Sequence, residues 1–248
     1  MSLSIIIVTF NSGKYIETCI RSILANSGIS RYEIIIVDNC SSDNTLDLVN
    51  SIIEDGRILI IENSSNIGYS AAINRAVKKA SFDNLLLLNP DVVLKNNAIH
   101  ELLEVLKIDN IGVVGAKLIS TKGDYQRSSK RHFPTLGIFI SYLLKLDKVF
   151  PKSRIFGKYN YTFEKEDKML EVDSVSGACM SFKKDVYSLV NGFDDIFFMY
   201  FEDTDFCRKV KDANMKVVYC PTSEVTHNND YSDNYSEKMS HFFDSLNK

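Results

Sequence analysis

Apolar residues in this chain follow two alternating rhythms. Residues 3–9, 32–37, 57–61 and 85–88 are short, mainly apolar runs rich in Ile, Val and Leu that predict strands, the four leucines at 85–88 reading as a central strand covered on both faces. Between them, residues 14–25, 43–53 and 69–80 repeat apolar side chains every three or four positions, the period of a helix with one buried face. This regular succession predicts a mainly parallel sheet with right-handed crossovers and helices on both faces, an α/β fold. After a helix at 98–106 and a strand at 113–114 the rhythm weakens. Residues 117–168 are rich in Lys, Arg and aromatics and keep a helical period only at 136–149; so long an excursion is usually functional. The pattern returns with a strand over 173–182, helices at 184–190 and 202–213, and a strand at 216–220. No linker separates two domains, so one domain is expected over residues 1–248.

The predicted strands end in polar residues. The first runs into Thr9, Phe10 and Asn11, the second into Asp38, Asn39, Ser41, Ser42 and Asp43, the third leads to Asn66 and Gly68, and the fourth ends in Asn89-Pro90-Asp91. In open α/β sheets ligands collect beyond the carboxyl ends of the strands, and four polar ends on one edge suit a nucleotide. Asp91 follows four consecutive leucines and stands where a hard divalent cation and a diphosphate could be held. Any one of these residues could instead shape a turn, and Ser42 or Asp43 could cap the following helix. The turn after the first strand, Asn11-Ser12-Gly13-Lys14, has one glycine and lacks the dinucleotide fingerprint; no phosphate-binding loop of the G-x-x-x-x-G-K-[ST] type occurs either.

Composition narrows the partners. A formal net charge of −3 gives no basic field for nucleic acid. Five cysteines without a C-x-x-C pair fit reduced, cytosolic usage. No apolar run approaches the roughly 20 residues that span a bilayer, so a cytoplasmic protein, soluble or peripheral at the inner face of the membrane, is expected. Residues 136–149, with Lys145, Lys148 and Lys152 in and beyond them, fit either a basic amphipathic helix at a membrane interface or a lid or oligomer helix packed on the core.

Together the motifs Val8-Thr9-Phe10-Asn11, Val37-Asp38-Asn39 with Ser41 and Asp43, Asn66-x-Gly68 with Asn74, and Asn89-Pro90-Asp91 resemble family 2 glycosyltransferases, the inverting enzymes with a GT-A fold. The likeness continues through Val175-Ser176-Gly177-Ala178 and residues 192–208 to His227, and looks most like the rhamnosyltransferase-like branch. It implies a nucleotide-sugar half (1–115) and an acceptor-binding, catalytic half (116–248). Thr9, Phe10, Asn11, Asp38, Asn39, Asn66, Gly68, Asn74, Asn89 and Asp91 would then bind the donor, a dTDP- or UDP-sugar with rhamnose as the leading choice. Asp91 and His227 would hold Mg2+ or Mn2+, Asp203 would be the base, and Gly177, Tyr200 and Glu202 would meet a saccharide or lipid-linked saccharide acceptor. The resemblance places this transfer in the synthesis of cell-surface glycans. Arg127, Arg131 and Arg208 are further candidates for phosphate or acceptor contacts, although Arg208 could equally pair with Asp205 on its own helix. Two rival readings are a non-catalytic sugar-nucleotide or glycan-binding module, which should lack Asp91 or Asp203, and a sugar nucleotidyltransferase, which should carry a Gly-rich basic loop after the first strand.

Overall fold

The computed structural model describes residues 1–26, 29–52 and 56–228. The first half runs β1 (Ser2–Thr9), α1 (Ile16–Leu24), β2 (Arg31–Asp38), α2 (Thr45–Asn50), β3 (Ile58–Glu62), α3 (Tyr69–Val77) and β4 (Asn84–Leu88). There follow β5 (Val92–Leu94), α4 (Ala98–Leu106) and β6 (Ile111–Ile119), then the excursion with β7 (Lys130–Arg131), α5 (Leu136–Leu143) and α6 (Leu146–Val149). The chain finishes with β8 (Leu170–Val172), β9 (Ser174–Val175), β10 (Cys179–Lys183), α7 (Lys184–Leu189), α8 (Glu202–Asp212) and β11 (Lys216–His227). The predicted helix at 43–53 is α2, and its last position lies outside the described residues.

Among the described residues, nine strands form one sheet in the order β3-β2-β1-β4-β10-β6-β11-β5, with β8 also on β11. β1 is parallel to both β2 and β4, and β2 to β3. The direction of winding therefore reverses at β1, the switch point where a crevice opens at the strand ends. The apolar runs are continuous because successive residues serve two cores. Ile5 and Ile7 of β1, Ile34 and Ile36 of β2, and Leu86 and Leu88 of β4 pack under α1 and α4. Their neighbours Ile6, Val8, Ile35, Val37, Leu85 and Leu87 face α3, α7 and α8.

Three expectations change. The predicted strand at 173–182 is broken: β9 leaves the sheet to pair with β7, and β10 enters antiparallel between β4 and β6. This puts the turn at 176–178 beside the carboxyl end of β4, since Cys179 pairs with Leu88. The predicted strand at 216–220 continues to His227, which pairs with Val92 of β5. Pro221 is tolerated because it sits within a register shift against β6 between Cys220 and Glu224, where no ladder N–H is required. The single helix expected at 136–149 is two, interrupted at Lys145, whose φ of 54° is left-handed.

Candidate active site

At the β1/β2 end, Asp38 is buried rather than solvated. Its Oδ1 accepts from Thr9 Oγ1 (2.8 Å) and Ser41 Oγ (2.5 Å), and its Oδ2 accepts from the Ser41 N–H (2.8 Å). Asn11 meets the same loop: its N–H donates to Ser41 Oγ and its Oδ1 accepts from the Ser42 N–H, each at 2.9 Å. Asp43 does act near the start of α2, accepting from the Thr45 N–H at 3.0 Å, and it also takes the Gly13 N–H at 2.9 Å. Phe10 projects from the strand end with 45% of its surface exposed, an aromatic face open to a planar ring.

Asn39 Nδ2 donates to Gly68 O (3.1 Å), and Asn39 Oδ1 accepts from Asn63 Nδ2 (2.6 Å), which in turn is held by Arg75. Asn63 and Arg75 were not expected. Asn66 Oδ1 accepts from the Gly68 N–H at 3.0 Å. Gly68 itself has φ +88°, and a Cβ there would lie 2.9 Å from the Phe198 ring. The Tyr69 N–H donates to Phe198 O at 2.7 Å, so this glycine lets the 192–201 segment pack against the start of α3. Asn74 departs from its expected role. Its Nδ2 donates to Phe193 O and Asp195 Oδ1, and its Oδ1 accepts from Tyr187 Oη and the Phe193 N–H. With all four hydrogen-bonding positions used, it is a strut for the 193–195 turn and has nothing left for a nucleotide.

Asp91 is buried at the end of β4, and His227 Nε2 lies 3.5 Å from its Oδ2. Gln126 sets the ring: its Nε2 donates to His227 O (2.8 Å), which turns its Oε1 toward His227 Nδ1 (2.9 Å). Nδ1 then carries the proton and Nε2 presents a lone pair to a carboxylate oxygen. Burial pushes the His227 pKa down to about 4, so the imidazole is neutral at pH 7. Two acceptors facing each other at this distance suit a cation between them, and the Gln126 oxygen on Nδ1 orients the ring as outer-shell acceptors orient metal-binding histidines. Among the described residues no three His, Cys, Asp or Glu side chains gather around one point. An ion here would therefore take its other oxygens from water and a diphosphate, as Mg2+ and Mn2+ sites of phosphoryl substrates commonly do.

The second acidic centre begins α8. Asp203 Oδ2 accepts from Arg131 Nη2 (2.5 Å) and from the Gly177 N–H (2.9 Å), and its Oδ1 takes a longer bond from Thr204 Oγ1 (3.2 Å). Arg131 is delivered by the β7–β9 ribbon and also donates to Val175 O. Burial opposes its charge, but Asp203 more than offsets this and its pKa is raised. Glu202, in contrast, is buried with no hydrogen-bond partner on Oε2 among the described residues. Burial, and then the charge of Asp203, raise its pKa well above the carboxylate range. Adjacent acids with opposed surroundings are suited to different proton roles. Tyr200 and Phe201 lead into them with φ of 71° and 67°, consecutive left-handed residues of the kind stored at functional sites; nothing in the sequence signals this. The two acidic centres adjoin, because the Asn89 N–H donates to Ala178 O (2.9 Å), one residue from the Gly177 that holds Asp203.

Of the three arginines singled out, only Arg131 reaches an acidic centre. Arg127 pairs with buried Asp147 (2.9 Å), and the Asp205–Arg208 pair weighed as an alternative role for Arg208 does not form. Asp205 pairs with Lys209 and Arg208 with Asp212, each four residues on, while the Arg208 guanidinium lies over Phe133. The i,i+4 spacing won over i,i+3. Arg127, Arg131, Asp147, Lys148, Tyr125, Tyr159 and their neighbours, all within the excursion, line a cavity of about 550 Å³. The residues after Asn228 lie outside the described residues.

Comparison with known proteins bears on what this geometry does. A relative from Haloferax volcanii, a low-salt glycan biosynthesis hexosyltransferase, is 26% identical over 91% of this chain and 67% of its own length. An N-acetylglucosaminyl-diphospho-decaprenol L-rhamnosyltransferase of Mycobacterium tuberculosis is 26% identical over 93% of this chain and 77% of its own. A rhamnosyltransferase of Escherichia coli is 27% identical over 90% and 82%. Among solved structures, a mannosyltransferase from Pyrobaculum calidifontis in complex with GDP-Man and Mn2+ superposes with a TM-score of 0.70 at 15% identity. The match covers 99% of this chain and 64% of that one, so the chain spans under two thirds of that protein. This likeness shows the GT-A fold. The N-terminal domain of galactosyltransferase matches residues 157–231, the stretch that contains Glu202, Asp203 and His227. Glycosyl transferase family 2 matches residues 4–189, three quarters of the chain, and the chain belongs to that family.

Proposed function

We propose that this glycosyltransferase moves a sugar, with rhamnose the leading choice, from a dTDP- or UDP-sugar to a saccharide or lipid-linked saccharide acceptor, with inversion. The observation that carries the reading is the adjacency of two unlike acidic centres: Asp91 with His227, and Asp203 held through Oδ2 by Arg131 and Gly177. Asp91 and His227 would hold Mg2+ or Mn2+, which when bound neutralises charge on the departing nucleotide diphosphate. The acceptor oxygen attacks the anomeric carbon from the face opposite the diphosphate, the bond to the diphosphate breaks, and the hydroxyl proton passes to Asp203 Oδ1. Oδ1 suits this role because the two strong donors are on the other oxygen. Glu202, protonated at neutral pH by its surroundings, donates a hydrogen bond to the acceptor, and Tyr200 walls the same side. Asp38, Asn39, Asn11 and Phe10 surround the base and ribose, Thr9 fixes Asp38, and Asn66 and Gly68 shape the adjoining wall.

Both a non-catalytic module and a nucleotidyltransferase fit less well. The first has no use for an arginine-held carboxylate beside a protonated acid, and the second needs a glycine-rich basic loop where Asn11 to Lys14 stand. Lipid-linked acceptors, named for the mycobacterial relative, would place the enzyme peripherally at the cytoplasmic face of the membrane. A screen of dTDP- and UDP-sugars with Mg2+ or Mn2+, read by nucleotide diphosphate release, tests the proposal. Turnover with one donor and a saccharide acceptor is expected; tight nucleotide binding with no transfer to any acceptor would favour the binding module.

A further inference from the structure

Fourteen large hydrophobic side chains stand exposed among the described residues, and five of them fall within 16 consecutive positions: Ile140, Leu144, Val149, Phe150 and Ile155, each 47% to 71% exposed. The rest are scattered, as exposed apolar residues normally are. The same stretch and the three positions after it bear Lys145, Lys148, Lys152, Arg154 and Lys158, all exposed. Its single acid, Asp147, is buried and paired with Arg127, so it does not offset them. The chain as a whole has a formal charge of −3, so this ridge is locally basic on a chain whose remainder is net acidic.

The ridge has a built shape. Ser153 Oγ accepts the N–H groups of Ile155 and Phe156, Thr162 Oγ1 donates to Pro151 O, and the Phe150 and Phe156 rings lie 5.5 Å apart. It also borders chemistry, since Asp147, Lys148, Tyr159 and Asn160 line the 550 Å³ cavity together with Arg131, the partner of Asp203. No helix among the described residues is long and apolar enough to cross a membrane.

We infer that residues 140–158 form a docking surface for an anionic lipid bilayer, seating the mouth of this cavity at the membrane plane. Apolar side chains interleaved with cations match an interface of acyl chains and anionic headgroups. A second copy fits less well, because the ridge would meet its own uncompensated positive charge. The inference rests on the lipid-linked acceptor reading for its purpose, but its test does not require transfer activity.

Flotation of the full chain with vesicles of equal parts phosphatidylglycerol and phosphatidylcholine, and with phosphatidylcholine alone, reads the surface directly. Binding to the anionic vesicles is expected, weakened by salt and by roughly tenfold or more on phosphatidylcholine. The double variant Leu144→Glu, Ile155→Glu and the charge variant Lys145→Glu, Lys152→Glu should each lose it by a comparable factor. Both alter exposed positions, so melting temperature and calorimetric titration with nucleotide diphosphate and Mn2+ should not move. Failure of the parent to float, flotation by the variants equal to the parent's, or a concentration-dependent dimer in sedimentation that Leu144→Glu dissolves would each overturn the inference. Loss of nucleotide affinity in the parent with flotation intact would instead sink the glycosyltransferase mechanism and leave the ridge standing.

Discussion

Glu202→Gln isolates the consequence of burying a second acid beside Asp203. Glu202 is 7% exposed, and no donor meets its Oε2 among the described residues. Backbone N–H groups of Glu202 and Tyr200 and the nearby Arg131 offset only part of the burial and of the repulsion from Asp203. The folded pKa is therefore raised above the 4.5 of an exposed glutamate. A carboxyl with a raised folded pKa stabilises the fold fully below its unfolded pKa, and that contribution is lost as pH climbs through the folded one. The buried ionised carboxylate, a state the amide never adopts, costs about 1–3 kcal/mol or more when it is not fully compensated. Taking ~2 kcal/mol for the partly compensated case, and about 2–4 °C per kcal/mol for a domain of this size, the neutral isostere should melt ~4–8 °C above the parent at alkaline pH. Near pH 5 the two should melt almost together. Thermal melts from pH 5 to 9 measure the gap, and a gap that does not widen with pH would refute the assignment of Glu202 as the acid kept protonated by its surroundings.

Other substitutions separate the remaining roles. Asp91→Ala should abolish the metal-dependent part of nucleotide diphosphate binding in calorimetric titrations with Mn2+; unchanged affinity would remove the cation from Asp91 and His227. Asp203→Asn should still bind donor and metal but turn over roughly 100-fold or more slowly at saturating substrates, the usual loss of a positioned general base. Near-normal turnover would move the role off Asp203. Asp38→Ala should weaken pyrimidine nucleotide binding and also destabilise, by about 1–3 kcal/mol, because Thr9 and Ser41 lose a buried acceptor; urea unfolding together with nucleotide titration would check both. Gly68→Ala should lower the melting temperature and nucleotide affinity together, since its φ of +88° and the Phe198 ring at 2.9 Å leave no room for a methyl group.

Much of this was legible in local pattern. Continuous apolar runs separated by amphipathic ones identify strands buried on both sides, and the sheet carries Ile5 and Ile6, or Leu85 and Leu86, into opposite cores as such runs require. A polar residue ending a strand is also a local fact, so Thr9, Asp38, Asn89 and Asp91 could be assigned to one edge once the sheet was taken as parallel. Local spacing did not decide between alternatives of equal reach. Asp205 chose Lys209 over Arg208, and Asn74, in a motif shared with a family, turned out to hold Phe193 and Asp195.

Tertiary structure alone decided the partnerships that make chemistry. Arg131 meets Asp203 across 72 residues, and Gln126 orients His227 across 101. Insertion of β10 between β4 and β6 brings Gly177 beside the turn that carries Asp91. Periodicity records which side of an element faces a core, because that depends on neighbours three or four positions away. It carries no record of which distant side chain arrives at a buried acid, and that arrival determines whether the acid is paired, as Asp203 is, or left to hold its proton, as Glu202 is.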